Sequence, residues 1–362
     1  SEVGMEPDWS TIQQAVSLMR QSKPDTIIAL GGGSVLDAAK VMRLFYDYPE
    51  LKLEEITVNF LDFRHRLVDF PPTHATQLVA IPTTSGTGSE VTPFAVLKDN
   101  EKKRKYSFVD EYLMPDVAII DANLTKSLPK EITVDTAFDA LTHALEALVS
   151  TFATDYTDGL ALEAIRLIFE ALPEVLKNGS NVLWRHKLHN AACLAGMAIG
   201  NASVGINHAL AHSLGAKFDV PHGRANGVFL LTTLEHNSKI PQKFMPISGY
   251  ALWVADKKYA RAAQFLGLVD EASNEPFKND TPETTEKAVL ALRRAVYDLA
   301  RAAGQPLSIA ELGISPQQVE TEIADLVRAA FEDMSGKTNP SVPLLAQLPD
   351  IFIRSYPPRQ RP

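Results

Sequence analysis

Cysteine is almost missing from this chain: Cys193, in the apolar run Ala191-Ala192-Cys193-Leu194-Ala195, is the single one. No disulfide can form within the chain, and a reducing compartment, the cytoplasm, fits. In that run the thiol reads as a small buried hydrophobe, not a nucleophile. Long apolar stretches are missing too. None reaches the ~18 residues needed to cross a bilayer, which argues against a membrane span. Positive charge is in deficit, with 35 Lys and Arg against 44 Asp and Glu. A phosphate-backbone partner needs a concentrated basic surface; the run Lys102-Lys103-Arg104-Lys105 is short and offset by acids, so no nucleic-acid partner is expected. The opening Ser1-Glu2-Val3-Gly4-Met5-Glu6-Pro7 has neither the basic nor the apolar region of a signal peptide.

What is present is an ordinary globular composition, 45% hydrophobic and 22% charged, over 362 residues. That length is enough for two domains. Residues 1–128 alternate strand and helix signals. A helical pattern from Thr11 to Arg20 precedes the apolar run Thr26–Leu30, followed by Leu78–Ile81, Phe94–Leu97 and Val117–Ile120. Continuous apolar runs between helices predict a parallel, doubly wound sheet covered on both faces. Only one strand precedes Gly31, whereas a dinucleotide domain normally opens with a strand carrying its own glycine turn. The expectation is an α/β domain whose first βαβ unit is absent. From about Ser127-Leu128-Pro129 the strand runs stop. Helical periodicity takes over at Asp139–Ser150, Tyr156–Leu172, Lys187–Asn201, Glu286–Ala303 and Ser315–Phe331, predicting an all-α domain over 129–362. Residues 269–282, rich in Asn, Asp, Glu and Pro, read as an exposed loop.

Two loops in the first domain suit a nucleotide. Gly31-Gly32-Gly33-Ser34 lies where a strand turns into a helix, with Ser34 placed as N-cap and Asp37 at N3. Glycines let backbone N–H groups approach a ligand, and a helix N-terminus favours a pyrophosphate. The spacing is not the usual dinucleotide fingerprint. Thr83-Thr84-Ser85-Gly86-Thr87-Gly88-Ser89-Glu90-Val91-Thr92 follows the next strand, at the sheet end where such folds bind ligands. Each loop could instead be a turn bonded only to itself.

Histidines dominate the second domain. His208 and His212 are four apart, as are Asp139 and His143, so each pair shares a helix face. His222 follows between Pro221 and Gly223. One carboxylate with imidazoles suits Fe(II) or Zn(II). Spacing alone leaves open which of His208 and His212 would coordinate. The remaining histidines, His65, His74, His186, His189 and His236, read as structural or solvated, with His236 exposed.

These motifs carry a resemblance. The chain resembles the iron-containing (group III) alcohol dehydrogenases through Gly31–Ser34, Thr83–Thr87, Asp139–Ala147, His208–His212 and Pro221-His222-Gly223. Within them it is similar to the alcohol dehydrogenase part of bifunctional aldehyde-alcohol dehydrogenases, through Phe60–Pro71 and Thr338–Leu344. The resemblance implies metal ligands at Asp139, His143, His208 and His222, with iron, or zinc, as the ion. It implies His212 beside a nicotinamide, as proton relay or cofactor positioner. It also implies NAD contacts at Gly32, Gly33, Ser34, Thr83, Thr84, Thr92 and Lys105; Asp37 and Thr87, in the same loops, join these candidates. The preference for NAD over NADP rests on this likeness. A small aldehyde or alcohol substrate, acetaldehyde and ethanol first, a homodimer and filament assembly of the full-length protein complete the implied picture. Val35, where the family often has Pro, and Ala137, where a Gly is common, depart from the pattern.

Three other readings compete. A metal- and NAD-dependent lyase of the dehydroquinate synthase kind would need basic residues around the metal, and only Lys217 and Arg224 lie near His208 to His222 in sequence. An assembly module with little activity could use an exposed Tyr356–Arg359 tail. A third possibility is a folded but inactive fragment.

Overall fold

A computed structural model of the chain describes residues 7–56, 70–71, 73–99, 104–239, 254–269 and 281–362. Helix α1 (Trp9–Ser22) starts at Asp8, whose carboxylate accepts from Ser10 N–H, and leads into β1 (Thr26–Gly31). Then come α2 (Gly33–Asp47), the single turn α3 (Leu53–Ile56), and β2 (Gln77–Pro82). Strands β3 (Phe94–Asp99), β4 (Arg104–Val109) and β5 (Val117–Ala118) complete the first part. Strands β1, β2 and β5 form one parallel sheet in that order, with Thr26 opposite Gln77 and Val79 opposite Val117.

The expected parallel set is corrected at one place. Phe94–Leu97 does not enter that sheet; β3 pairs antiparallel with β4, Phe94 opposite Val109 and Lys98 opposite Lys105. The reason is length. Parallel neighbours need a crossover of about a dozen residues, and only residues 100–103 separate these two strands. The hairpin packs Ala95, Leu97, Tyr106 and Phe108 against Val41, Leu44 and Phe45 of α2. On the parallel sheet, Ile28, Leu30, Val117 and Ile119 are exposed, so one apolar strip faces outward.

Beyond residue 129 the described chain is helical, as expected: α4 (Lys130–Val149), α5 (Asp155–Lys177), α6 (Val182–Ala202), α7 (Ile206–Phe218), α8 (His222–Ser238), α9 (Ala255–Phe265), α10 (Pro282–Ala303), α11 (Pro316–Glu332) and α12 (Leu348–Ser355). Helix α4 runs through the middle of this part, and every residue from Ala137 to Val149 is buried. Its Ala and Leu side chains pack against α5 and α6 on one side and Leu230, Leu231 and Leu234 of α8 on the other. A helix apolar all round is a core helix, which makes its few polar residues conspicuous. Capping boxes start α5 at Thr154, α10 at Thr281 and α11 at Ser315.

Several sequence expectations fall on residues outside the described ones: His65 and most of Phe60–Pro71, the basic residues Lys102 and Lys103, and the loop at 270–280. The Tyr356–Arg359 tail is docked, in contrast to the expectation of an exposed one. Tyr356 Oη donates to Ile314 O at 3.1 Å, and the Arg359 guanidinium reaches Thr232 Oγ1. No described helix is long and apolar enough to cross a membrane.

Candidate metal centre and nucleotide loops

The polar residues of α4 fall on one face. Asp139, His143 and Glu146 are four and then three residues apart, so they stack along the same side of the helix. Helix α7 supplies His208, and α8 begins with His222. Close approach of α8 to α4 depends on Gly223: a Cβ there would lie 2.0 Å from Asp135 O. One ligand atom each from Asp139, His143, His208 and His222 lies within 4.8 Å of all the others. Asp139 Oδ1 is the common neighbour, 3.8 Å from Nε2 of His143, 3.8 Å from Nε2 of His208 and 3.3 Å from Nε2 of His222. Asn226, one turn after His222, donates to the same oxygen at 2.8 Å, and Asn207 Nδ2 donates to Asn226 Oδ1 at 3.1 Å, which fixes the amide's orientation.

Burial makes this cluster expensive unless the groups are paired or bind a cation. Asp139, His143 and His208 are all buried, whereas His222 is open to solvent on one side. Burial pushes the Asp139 carboxyl up, but its electrostatic interactions with His143, His222 and His208 and a hydrogen bond from His222 outweigh it and hold it well below the ordinary range. Burial drives His143 down to about 4 despite Asp139, and drives His208 down as well. Burial thus disfavours the charged forms of His143 and His208, which leaves their lone pairs to offer beside an ionised carboxylate. That donor set, three nitrogens and one oxygen, fits Fe²⁺ or Zn²⁺.

His212 stands beside the set. Its ring stacks on His222 with centroids 5.1 Å apart, and its Nδ1 lies 2.8 Å from Asp333 Oδ2. Burial raises the Asp333 carboxyl, but the His212 charge and hydrogen bond and the Ser335 N–H bring it well below normal. Asp333 carries no local sequence signal, because it comes from the turn after α11, far along the chain from His212. Glu146 lies within a recognised motif and meets His208 Nδ1 through Oε2. Its position seven residues after Asp139 was the readable clue. The Thr338–Leu344 motif also has a structural part here: Thr338 Oγ1 donates to Val204 O, and Asn339 Oδ1 accepts from Ile206 N–H at 3.2 Å, fastening the start of α7.

The glycine-rich and threonine-rich loops meet at the C-terminal ends of β1 and β2. Thr83 N–H donates to Gly31 O at 2.9 Å, and a Cβ on Gly33 would lie 2.6 Å from Thr87 Cγ2. Gly32, Gly33, Ser34, Thr83, Thr84 and Thr87 are all half-buried along this junction. The capping box is corrected: Gly32 is the N-cap of α2, without a side-chain cap, and Ser34 sits inside the first turn. Asp37 accepts from Ser89 Oγ at 2.6 Å and from Val96 N–H at 2.9 Å. It braces the second loop, because both of its oxygens are already engaged. Thr92 is buried, its carbonyl accepting from Lys40 Nζ at 2.8 Å. Lys105 lies in β4, and its side chain falls outside the described ones. The Thr-rich loop also wedges into the helical part. Gly88, at φ +63°, would place a Cβ 2.4 Å from Gly196 Cα on α6, and Ser85 Oγ lies 3.0 Å from His189 Nδ1.

His189 is thereby a buried brace, and both it and His186 lie inside α6. His74 pairs with Asp116 at 2.6 Å. His236, expected to be exposed, is half-buried with Nε2 at 3.1 Å from Ser341 O.

Sequence comparison agrees with this architecture. The pattern described as iron-containing alcohol dehydrogenase matches residues 1–122, and that of the Fe-containing alcohol dehydrogenase family, C-terminal, matches 133–356. The chain belongs to the iron-containing alcohol dehydrogenase family. It is 42% identical over 357 residues to an aldehyde-alcohol dehydrogenase of Streptococcus pneumoniae serotype 2, covering 98% of this chain and 39% of that protein. The chain therefore spans about two fifths of the length of that relative. A 1-propanol dehydrogenase of Citrobacter freundii is 37% identical, over 94% of this chain and 80% of its own. Among solved structures, a sulfoacetaldehyde reductase of Bifidobacterium kashiwanohense in complex with NAD⁺ superposes with a TM-score of 0.79 at 25% identity, covering 98% and 82% of the two chains.

Proposed function

We propose that this chain catalyses reversible hydride transfer between NAD(H) and a short-chain primary alcohol or aldehyde, acetaldehyde and ethanol being the expected pair. The proposal places it as the alcohol dehydrogenase part of a bifunctional aldehyde-alcohol dehydrogenase acting in the cytoplasm. The observation that carries it is the convergence of Asp139, His143, His208 and His222 on one point. When bound, the ion supplies Lewis acidity to the substrate oxygen and the nicotinamide gives or takes the hydride.

The protein's own groups do the rest. The N-terminus of α2, with Gly32, Gly33 and Ser34, is suited to the pyrophosphate. Thr83, Thr84 and Thr87 flank it with hydroxyls for the rest of the dinucleotide. Asp37 and Lys40 hold the second loop in place, Lys40 through Thr92 and Phe94 carbonyls. His212, oriented by Asp333 through Nδ1, presents Nε2 as the site that holds or passes the alcohol proton. A homodimer, and filaments in the full-length protein, are the proposed assembly.

Substrate charge separates this reading from a lyase acting on a phosphorylated acid. Arg224 is held by both oxygens of Asp135 at 3.1 Å, and Lys217 pairs with Glu322 and Asp325. Neither cation is left over for an anionic substrate, which favours an uncharged one. The deciding experiment is elemental analysis of the purified chain combined with NADH oxidation across short aldehydes. About one iron or zinc per chain with turnover of acetaldehyde or propanal is expected. One ion with no turnover of any aldehyde would contradict the proposed activity.

A further inference from the structure

Resting on the four-ligand reading above, we propose that Glu146 is a positioning residue that sets the ring of His208 for the metal and couples ion binding to the seating of α7. The N-cap of helix α7 is Gly205, which offers no side-chain cap. The first N–H groups of a helix need acceptors from elsewhere, and here they come from other segments. Glu146 Oε1 accepts from Asn207 N–H at 2.7 Å, while Asn339 Oδ1 takes Ile206 N–H. The other oxygen of Glu146 pairs with Nδ1 of His208, a contact in which an ionised Glu146 accepts. One buried carboxylate thus ends two otherwise unmet donor sets at once, a backbone turn and a ligand ring.

The consequence for His208 is a fixed tautomer. With the proton on Nδ1 engaged by Oε2, the lone pair is on Nε2, the atom facing Asp139 Oδ1. A carboxylate behind a metal-bound histidine fixes ring orientation and raises ligand basicity. Drawing electron density from Nε2 makes Nδ1–H a stronger donor, so an ion at the site tightens the same contact that holds α7. His143 differs: its Nδ1 is buried with no hydrogen-bond partner among the described residues. Glu146 is therefore the anchor through which this cluster is tied to its scaffold. Gly205 belongs to the same device. A Cβ there would lie 2.7 Å from Asn339 Oδ1 and 2.8 Å from Glu146 Oε1, displacing the carboxylate.

The test is Zn²⁺ binding to the full chain, measured by competition with a chelator and by the rise in Tm that the ion produces. Glu146→Gln keeps the side-chain shape but replaces one acceptor oxygen by a donor. It is expected to weaken Zn²⁺ binding about 10–100-fold and to shrink the Zn²⁺-induced Tm rise. In the wild type a strongly deshielded Nδ1 proton of His208, assigned by its absence in His208→Ala, is expected in the proton NMR spectrum and is lost in Glu146→Gln. Should that variant not fold, Gly205→Ala removes no polar group and is expected to lower Zn²⁺ affinity in the same direction. A variant with a lower metal-free Tm but wild-type Zn²⁺ affinity would show a purely structural role and overturn the proposal. A wild-type chain that binds no Zn²⁺ would overturn the four-ligand reading with it, a result distinct from unchanged affinity in the variants.

Discussion

His208→Ala is expected to leave the purified chain without its ion and to lower kcat/KM by about a thousandfold or more. The magnitude follows from several kcal/mol of Lewis-acid stabilisation, each ~1.4 kcal/mol being tenfold in rate. The substitution removes one of four donors. It also leaves the buried carboxylate of Glu146 without the ring it accepts from, and Asp139 without one of the imidazoles that favour its charge. An uncompensated buried carboxylate is costly, so the variant is expected to lose metal before it loses the fold. The core around α4 is built from Ala137, Phe138, Ala140, Leu141, Ala144 and Leu145, which the substitution does not touch. Elemental analysis and steady-state kinetics on one preparation check both halves. Full turnover in a metal-free His208→Ala chain would refute the ligand assignment.

His212→Ala is expected to do the opposite of the first variant in one respect: the ion stays. His212 is outside the converging set, held by Asp333 and stacked on His222. Its loss is expected to cut kcat by about 10²-fold, the low end for a positioned acid–base group, with metal content unchanged. The paired outcome separates the two histidines, which their spacing of four residues could not. Loss of the ion in His212→Ala would mean that this ring coordinates after all. Unchanged kcat with full metal content would remove it from the proton path.

Much of the metal centre was legible because helical spacing is a short-range property. Asp139 with His143, and His208 with His212, announce shared faces from the chain alone, and Gly223 explains how His222 gets close. The supporting groups were harder to see. Asp333 reaches His212 only because α11 packs on α7, a contact that no local pattern encodes. Glu146 was within reach of a periodicity argument, yet a carboxylate near a helix end reads equally well as a surface residue until α4 is known to be buried on all sides. In the two loops proposed for the nucleotide, the local capping was misread. Ser34 has the chemistry of an N-cap, yet the helix starts two residues earlier than that role requires, at Gly33 behind Gly32. Asp37, expected near the cofactor, is used up by Ser89 and Val96. The parallel-sheet expectation failed at Phe94–Leu97 because apolar periodicity does not report strand direction; the short connection to β4 does.

The central claim is that one divalent cation is held by Asp139, His143, His208 and His222. Anomalous diffraction at the iron and zinc edges, from crystals of the chain grown with the ion, tests it directly. The account predicts a single peak about 2.0–2.2 Å from the Asp139 oxygen and the three imidazole nitrogens. Anomalous density lying elsewhere in a crystal of active enzyme, with these four side chains apart, would contradict it.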